Sequence, residues 1–346
     1  MKENQQDPKV DPINRKILNR IQADFPLVQR PFAEMAQSLG TTEEEVLERV
    51  RQLFQAKIIR QIGPIFDTRN LGYASSLVAF RIPQDKLIAG AKMINSHPGV
   101  SHNYERNNDF NLWFTIAVPP GENLEKHIEA LTQLTHAESG RILQTIQLFK
   151  IGVRLDIGDA VGGRGREEDD FGVYEKIAGA PSAEEQRMIA VLQENIELTE
   201  EPFAKYAKQL DTTQEKVLEA LHRFKEKGYM RRFAAILRHR KAGFMANGMA
   251  VWKVPPERAT ECGQIMANFR VVSHCYQRPT YPDWPYALFS MIHAKTEEAC
   301  CEAAREISEA TKLTDYAVLF SLREFKKSRV RYFDGSIQQW TAQYVH

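Results

Sequence analysis

Cysteine is scarce in this 346-residue chain: Cys262, Cys275, Cys300 and Cys301 are the only four, and no two of them form a Cys-x-x-Cys pair. The spacing of a structural zinc site or a dithiol redox motif is therefore absent, and the neighbours Cys300 and Cys301 face different ways on any helix. They read as reduced thiols of a cytoplasmic protein. Charge of one sign is equally lacking, since 46 Lys+Arg stand against 45 Asp+Glu for a formal net charge of +1. Without a global basic excess to hold a polyanion, any anion site has to be local. No apolar run is long enough to span a bilayer, and the opening MKENQQDPKVDP has no apolar signal core, so neither a membrane span nor secretion is expected. A glycine-rich phosphate loop, a Ser-His-Asp order and zinc-type spacing are all missing.

What the chain does have is a repeat. RPFAEMAQSLGTTEEEVLERV (30–50) lies over EPFAKYAKQLDTTQEKVLEAL (201–221), and the same offset pairs Arg60 with Arg231, Arg69 with Arg240 and Gly72 with Gly243. After a one-residue insertion, Pro83 pairs with Pro255, His102 with His274, Tyr104 with Tyr276 and Arg106 with Arg278. The chain is thus two copies of one unit of roughly 150 residues, a usual domain size. The glycine- and charge-rich stretch 156–181 between them disfavours a packed core and reads as a linker.

Each copy opens with helical signals. In the first, Ile13, Ile17, Leu18 and Ile21 recur at helical spacing, Pro31 suits a first turn, and Thr41 or Thr42 caps a third helix striped by Val46, Leu47, Val50, Leu53 and Phe54. KIIRQIGPIFD then alternates like a small β-hairpin, which completes a winged helix-turn-helix. Next come a strand (73–82), a helix (84–96), two strands (100–105 and 111–118), a helix (122–135) and a strand (141–148). The order βαββαβ predicts a ferredoxin-like antiparallel sheet with helices on one face. The predicted fold class is α+β, in five segments: winged helix-turn-helix 1–68, ferredoxin-like 69–155, linker 156–181, winged helix-turn-helix 182–240, and ferredoxin-like 241–346 with a C-terminal extension. The helix that would enter DNA begins with Glu43, Glu44 and Glu45, followed by Glu48, where phosphate neutralisation requires Lys or Arg. No nucleic-acid partner is expected.

GVSHNYERNNDFNLWFTIAV (99–118) and VVSHCYQRPTYPDWPYALFSMIH (271–293) carry the one constellation that recurs with chemistry in it. On a strand, residues i, i+2 and i+4 share a face, so His102, Tyr104 and Arg106 project together, as do His274, Tyr276 and Arg278. The second copy then inserts PTYPDWPYALF, whose prolines forbid a regular ladder and place Tyr281, Trp284 and Tyr286 on a stiff loop, either presented to a ligand or packed onto its own sheet. Arg60 and Arg69 on the first wing, and Arg231, Arg232, Arg238 and Arg240 on the second, supply guanidinium forks suited to carboxylates. His97 reads as a turn residue, and His127, His136, His222 and His239 have no partner motif. His293 lines the face of His274 only if the proline loop restores the register, and His346 is terminal.

Helix-turn-helix followed by βαββαβ resembles the Lrp/AsnC architecture over both halves. Within it, VSHNYERNNDFNLWFT and the more specific VSHCYQRPTYPDWPYALFSMIH resemble the signatures of the two subunit types of the siroheme decarboxylases, which act as a heterodimer or as one fused chain. This sequence resembles the fused form over nearly its whole length apart from the linker. The resemblance implies non-oxidative removal of two ring acetate carboxyl groups from siroheme, giving didecarboxysiroheme for heme d1 or for the alternative heme route. No cofactor is then required beyond the iron of the siroheme substrate. Expected partners are siroheme and its product, with an internal pseudo-dimer of the two halves and exposed edges that permit homo-oligomers. His102 and His274 would be the functional pair, one ligating the iron or lying beside it while the other donates the proton that a departing carbon dioxide demands. Which does which stays open. Arg106, Arg278, Arg231, Arg232 and Arg60 would grip carboxylates, and Tyr104, Tyr276, Tyr281 and Trp284 would line the macrocycle. A transcription regulator and a tetrapyrrole carrier without turnover are the competing readings.

Overall fold

A computed structural model describes residues 11–151, 179–237 and 246–345. Most of the linker expected at 156–181, together with Arg238, His239, Arg240 and His346, lies outside the described residues. Copy one runs α1 (Pro12–Ala23), α2 (Pro31–Leu39), α3 (Glu43–Gln55), β1 (Ile59–Phe66), β2 (Ala74–Arg81), α4 (Leu87–Ser96), β3 (Val100–Arg106), β4 (Leu112–Val118), α5 (Leu124–Thr135), β5 (Ser139–Leu143) and β6 (Gln147–Ile151). Copy two runs α6 (Ala183–Leu192), α7 (Ala204–Leu210), α8 (Gln214–Glu226), β7 (Met230–Leu237), β8 (Ala246–Trp252), α9 (Ala259–Asn268), β9 (Val272–Gln277), β10 (Leu288–Ala294), α10 (Glu297–Thr311), β11 (Tyr316–Lys327) and α11 (Ser336–Tyr344). The α+β class and the tandem winged-helix and ferredoxin-like plan are both present.

The residues divide into two compact units by type of segment rather than by copy. One unit collects 11–73, 179–237 and 331–334. Its helices begin where orphan backbone N–H groups find side-chain acceptors. Asp11 accepts from Ile13 and Asn14 ahead of Pro12, and Thr42, rather than Thr41, accepts from Glu45 at the start of α3. Two of the acidic residues of α3 are held by arginines: Glu43 by Arg30, and Glu45 by Arg49 at 2.8 Å. The expectation of a local hairpin in KIIRQIGPIFD is corrected here. That segment is the single strand β1, paired antiparallel with β7 of the other copy. The segment makes no turn of its own, and the repeat supplies the partner strand.

The other unit holds both ferredoxin-like halves, in the strand order β5-β2-β4-β3-β11-β8-β10-β9-β6. The strand expected at 141–148 is in fact two. β5 pairs with β2 of its own copy, while β6 pairs with β9 of the other. The 12-residue β11 does the same along its length, first against β8 and then against β3. Each copy therefore lends its last strand to the other sheet. Lys150 on β6 donates to the Phe269 carbonyl at the end of α9, and Lys326 on β11 donates to the Asn95 and His97 carbonyls at the end of α4, each cation meeting the negative end of a helix dipole.

Three apolar clusters follow from this plan. One lies between each sheet and its own helices, and the third gathers Ala79, Trp113 and Leu143 with Met249, Phe289 and Leu319 from the opposing faces of the two sheets. Asn103 reaches the Ala91 carbonyl on α4, and Cys275 reaches the Gly263 carbonyl on α9. Alternation then turns the residues on either side of Asn103 and Cys275 towards the face between the sheets.

Candidate functional site

His102, Tyr104 and Arg106 on β3, and His274, Tyr276 and Arg278 on and just after β9, occupy that inner face. A β-bulge precedes each histidine, shifting the pairing between Val100 and His102 and between Val272 and His274. An extra residue in one strand lets two successive side chains project to one side, and both bulges use it to set a serine beside a histidine. Ser101 Oγ lies 3.0 Å from His102 Nδ1, and Ser273 Oγ lies 2.8 Å from His274 Nδ1. The imidazole and phenol rings stack alike in both copies, with centroids 6.2 Å apart at 22° for His102–Tyr104 and 6.2 Å apart at 21° for His274–Tyr276. The expected trios are thus assembled as trios.

In strand order β11, β8 and β10 lie between β3 and β9, so each trio sits on a strand of its own copy.

Beyond the serines the copies differ. Ser101 Oγ continues to Thr115 Oγ1 at 2.7 Å. Ser273 Oγ continues to His293 Nε2 at 2.7 Å, because the register across β9 and β10 resumes after the proline loop and puts His293 on the same face as His274. Burial, with His293 as a second contribution, lowers the pKa of His274 to about 4, and burial also lowers that of His293. His274 is therefore neutral at pH 7. Burial, then the Glu324 carboxylate 3.2 Å from its hydroxyl, raises Tyr104 to about 12, so its phenol keeps its proton.

The arginines of the trios do something other than expected. Arg106 and Arg278 are buried at 7% and 9% exposure, and their Nη1 groups donate to the carbonyls of Leu319 on β11 and Leu143 on β5. Each guanidinium thus ties its own copy to a strand of the other while covering its tyrosine ring. Arg231 is likewise engaged, with Asp67 at 2.6 Å in the helix-turn-helix unit, where Arg60 and Arg232 are exposed. Trp284, 2% exposed, packs into the inter-sheet cluster against Phe110 and Trp113. Tyr281 donates to the Ile142 carbonyl at 2.7 Å and lies under Arg141, which itself clamps Asp283 through two 2.7 Å bonds. The proline loop is fastened to the first copy, in keeping with the packed alternative considered for it.

Three further features escaped the sequence reading. Lys327 on β11 lies directly across from His102 and is exposed. Its partner is 225 positions away in the chain, and only the exchange of last strands joins them. His97 and His127 form a fully buried pair 2.9 Å apart, with the Gly99 N–H donating to His97 Nδ1 and His127 Nε2 placed 3.1 Å from Glu122. The bond from Gly99 fixes His97 as the Nε2–H tautomer, so the chain of donors runs from Gly99 through both rings to the carboxylate. Trp340 of α11 covers both rings. Among the described residues no group of three His, Cys, Asp or Glu side chains is arranged to hold a metal ion, and no helix is long and apolar enough to cross a membrane.

The chain matches the AsnC-like ligand binding domain over 70–150 and 241–326, and the siroheme decarboxylase NirDL-like HTH domain over 14–60 and 185–231. It is 43% identical over 326 residues to the siroheme decarboxylase of Hydrogenobacter thermophilus, covering 94% of this chain and 96% of that one. It is 46% identical over 145 residues to the siroheme decarboxylase beta subunit of Methanosarcina barkeri, covering 42% of this chain and 95% of that one, as one subunit of a divided enzyme would. The crystal structure of the siroheme decarboxylase NirDL in co-complex with an iron-uroporphyrin III analogue superposes with a TM-score of 0.79 at 37% identity, over 96% of this chain and 98% of that one. A relative at this identity over nearly the whole chain, together with matching domain descriptions in both halves, places the chain in the siroheme decarboxylase family.

Proposed function

We propose that this chain decarboxylates siroheme, releasing acetate carboxyl groups as carbon dioxide and leaving methyl groups, with the substrate's own iron as the only metal involved. The observation that carries the reading is the twice-built Ser-His-Tyr constellation on the inner face of the sheets in a chain of this family. When the bond to the carboxylate carbon breaks, its electron pair stays on the methylene carbon, which then has to take up a proton. His102 and His274 are the proton-donating groups, each with Nδ1 beside a serine hydroxyl. Tyr104 and Tyr276, stacked beside them, present apolar ring faces to the macrocycle. Lys327, across from His102, is a cation for a substrate carboxylate, in place of Arg106 and Arg278, which hold the two copies together.

Anaerobic incubation of the protein with siroheme followed by mass spectrometry tests the reading. A loss equal to two carbon dioxide molecules is the expected result. A pigment that binds and comes back unchanged would make the protein a carrier. His102→Ala and His274→Ala are each expected to slow turnover by about 10²-fold or more, the usual scale of a positioned acid; full rates in both variants would remove the histidines from the chemistry.

A further inference from the structure

The two sites are built alike up to the serine and diverge after it. Thr115 in copy one corresponds to Met291 in copy two, since each lies opposite its histidine, and Ala117 corresponds to His293. Copy one therefore ends its hydrogen-bonded chain on a threonine hydroxyl at 2.7 Å, whereas copy two ends it on an imidazole nitrogen at 2.7 Å. A hydroxyl hands on a proton only when another group supplies one; an imidazole exchanges protons with water near neutral pH. Ser273 is buried at 7% exposure, while His293 and His274 on either side of it are half-buried. The arrangement runs from one partly accessible ring, through an enclosed hydroxyl, to a second partly accessible ring.

We propose that His293 is a positioning and proton-supplying residue of the second site, feeding His274 through the Ser273 hydroxyl. The proposal rests on the function inferred above. It also resolves a chemical difficulty, because a neutral imidazole that gives up its Nε2 proton becomes an imidazolate unless Nδ1 gains one in return. The bonds on the page supply that return. The carbon–carbon bond to the carboxylate breaks, carbon dioxide leaves, and the electron pair on the methylene carbon takes the proton from His274 Nε2. His274 Nδ1 takes the proton of Ser273 Oγ, Ser273 takes one from His293 Nε2, and His293 Nδ1 takes one from water, whose hydroxide the released carbon dioxide takes up as bicarbonate. One proton enters at His293 and one reaches carbon for each carbon dioxide released, and rotation of the hydroxyl and the rings resets the chain.

The groups around His293 leave it this task. Asn247 is its neighbour across β8, its own backbone N–H donates to Val271, and Ser273 is its side-chain partner from β9. None of these is a carboxylate that would hold its proton back.

Multiple-turnover rates of His293→Ala and His293→Gln with siroheme, with and without added imidazole, test the relay, while absorbance titration of siroheme checks that each variant is folded and binds. Both variants are expected to bind siroheme with unchanged affinity and to turn over at least tenfold more slowly, with His293→Ala regaining rate as imidazole is added. Glutamine can still donate an N–H to Ser273 but cannot carry a proton through, so a His293→Gln variant at the wild-type rate would overturn the relay and leave a purely structural hydrogen bond. A fast His293→Ala variant would overturn it outright. Both results presuppose an active parent, so an inactive wild-type protein would instead count against the underlying function and is told apart at once.

Discussion

Desolvation decides what an arginine does. At 7% exposure the Arg106 guanidinium has lost most of its water, and burial lowers its pKa to about 10 while leaving it charged at pH 7. A buried cation of this kind is tolerable only where fixed acceptors replace the lost hydration, and the Leu319 carbonyl at 2.8 Å is one of them. Arg106→Met keeps much of the apolar stem but leaves that carbonyl without its donor. It is expected to lower stability by about 1–3 kcal/mol, read as a fall in Tm, because an orphaned buried acceptor costs that much. An unchanged Tm with weakened siroheme binding would return Arg106 to the role of a substrate clamp. The sequence showed that Arg106 and Arg278 share a face with His and Tyr, since strand periodicity is local. It did not show what they face, because the partner carbonyls lie on strands of the other copy.

At the scale of elements, that loan is the feature least visible in the chain. The repeat, the helix caps and the βαββαβ order were legible because each is written within a few turns or strands of sequence: Pro31, Thr42 and the alternation of 111–118 need no distant partner to be recognised. Two readings failed for one reason. KIIRQIGPIFD was given a local hairpin and 141–148 a single strand, and in both the true partner comes from the other copy. The proline loop was legible as stiff and aromatic, yet whether it packs or presents depends on the Arg141–Asp283 clamp, which joins residues far apart in sequence. Gly263 in α9 gives a test of the exchanged strand. A Cβ there would lie 2.4 Å from the Phe149 ring on β6, closer than real contacts allow. Glycine to alanine in a helix normally stabilises by up to about 1 kcal/mol. Here the sign is expected to reverse, with Gly263→Ala lowering Tm and raising hydrogen exchange in β6, because Phe149 has to leave its seat. A more stable variant with β6 equally protected would show that the strand does not depend on this contact.

The whole molecule carries its buried imidazoles as a liability in acid. His97, fully buried, has its pKa lowered by burial, then by the neighbouring His127 and Lys326, to about 3, and His274 is lowered to about 4. In the unfolded chain both would titrate near the ordinary value of about 6.5. Between those limits the unfolded state binds protons that the folded state refuses, so stability is full above about pH 6.5 and falls as the pH drops towards 4 and then 3. Each group contributes on the order of a few kcal/mol over its window. Carboxylates held low by partners act further down: Asp283, lowered chiefly by its bonds from Arg141, loses its contribution only below its ordinary 3.8. The two causes therefore separate along the pH axis. Thermal unfolding followed from pH 8 to 4 is expected to show Tm declining already below about 6.5, with His97→Gln flattening part of that limb because glutamine takes up no proton. A Tm that holds level to pH 4.5 and then drops would assign acid sensitivity to the carboxylates and leave the buried His97 and His274 without this cost.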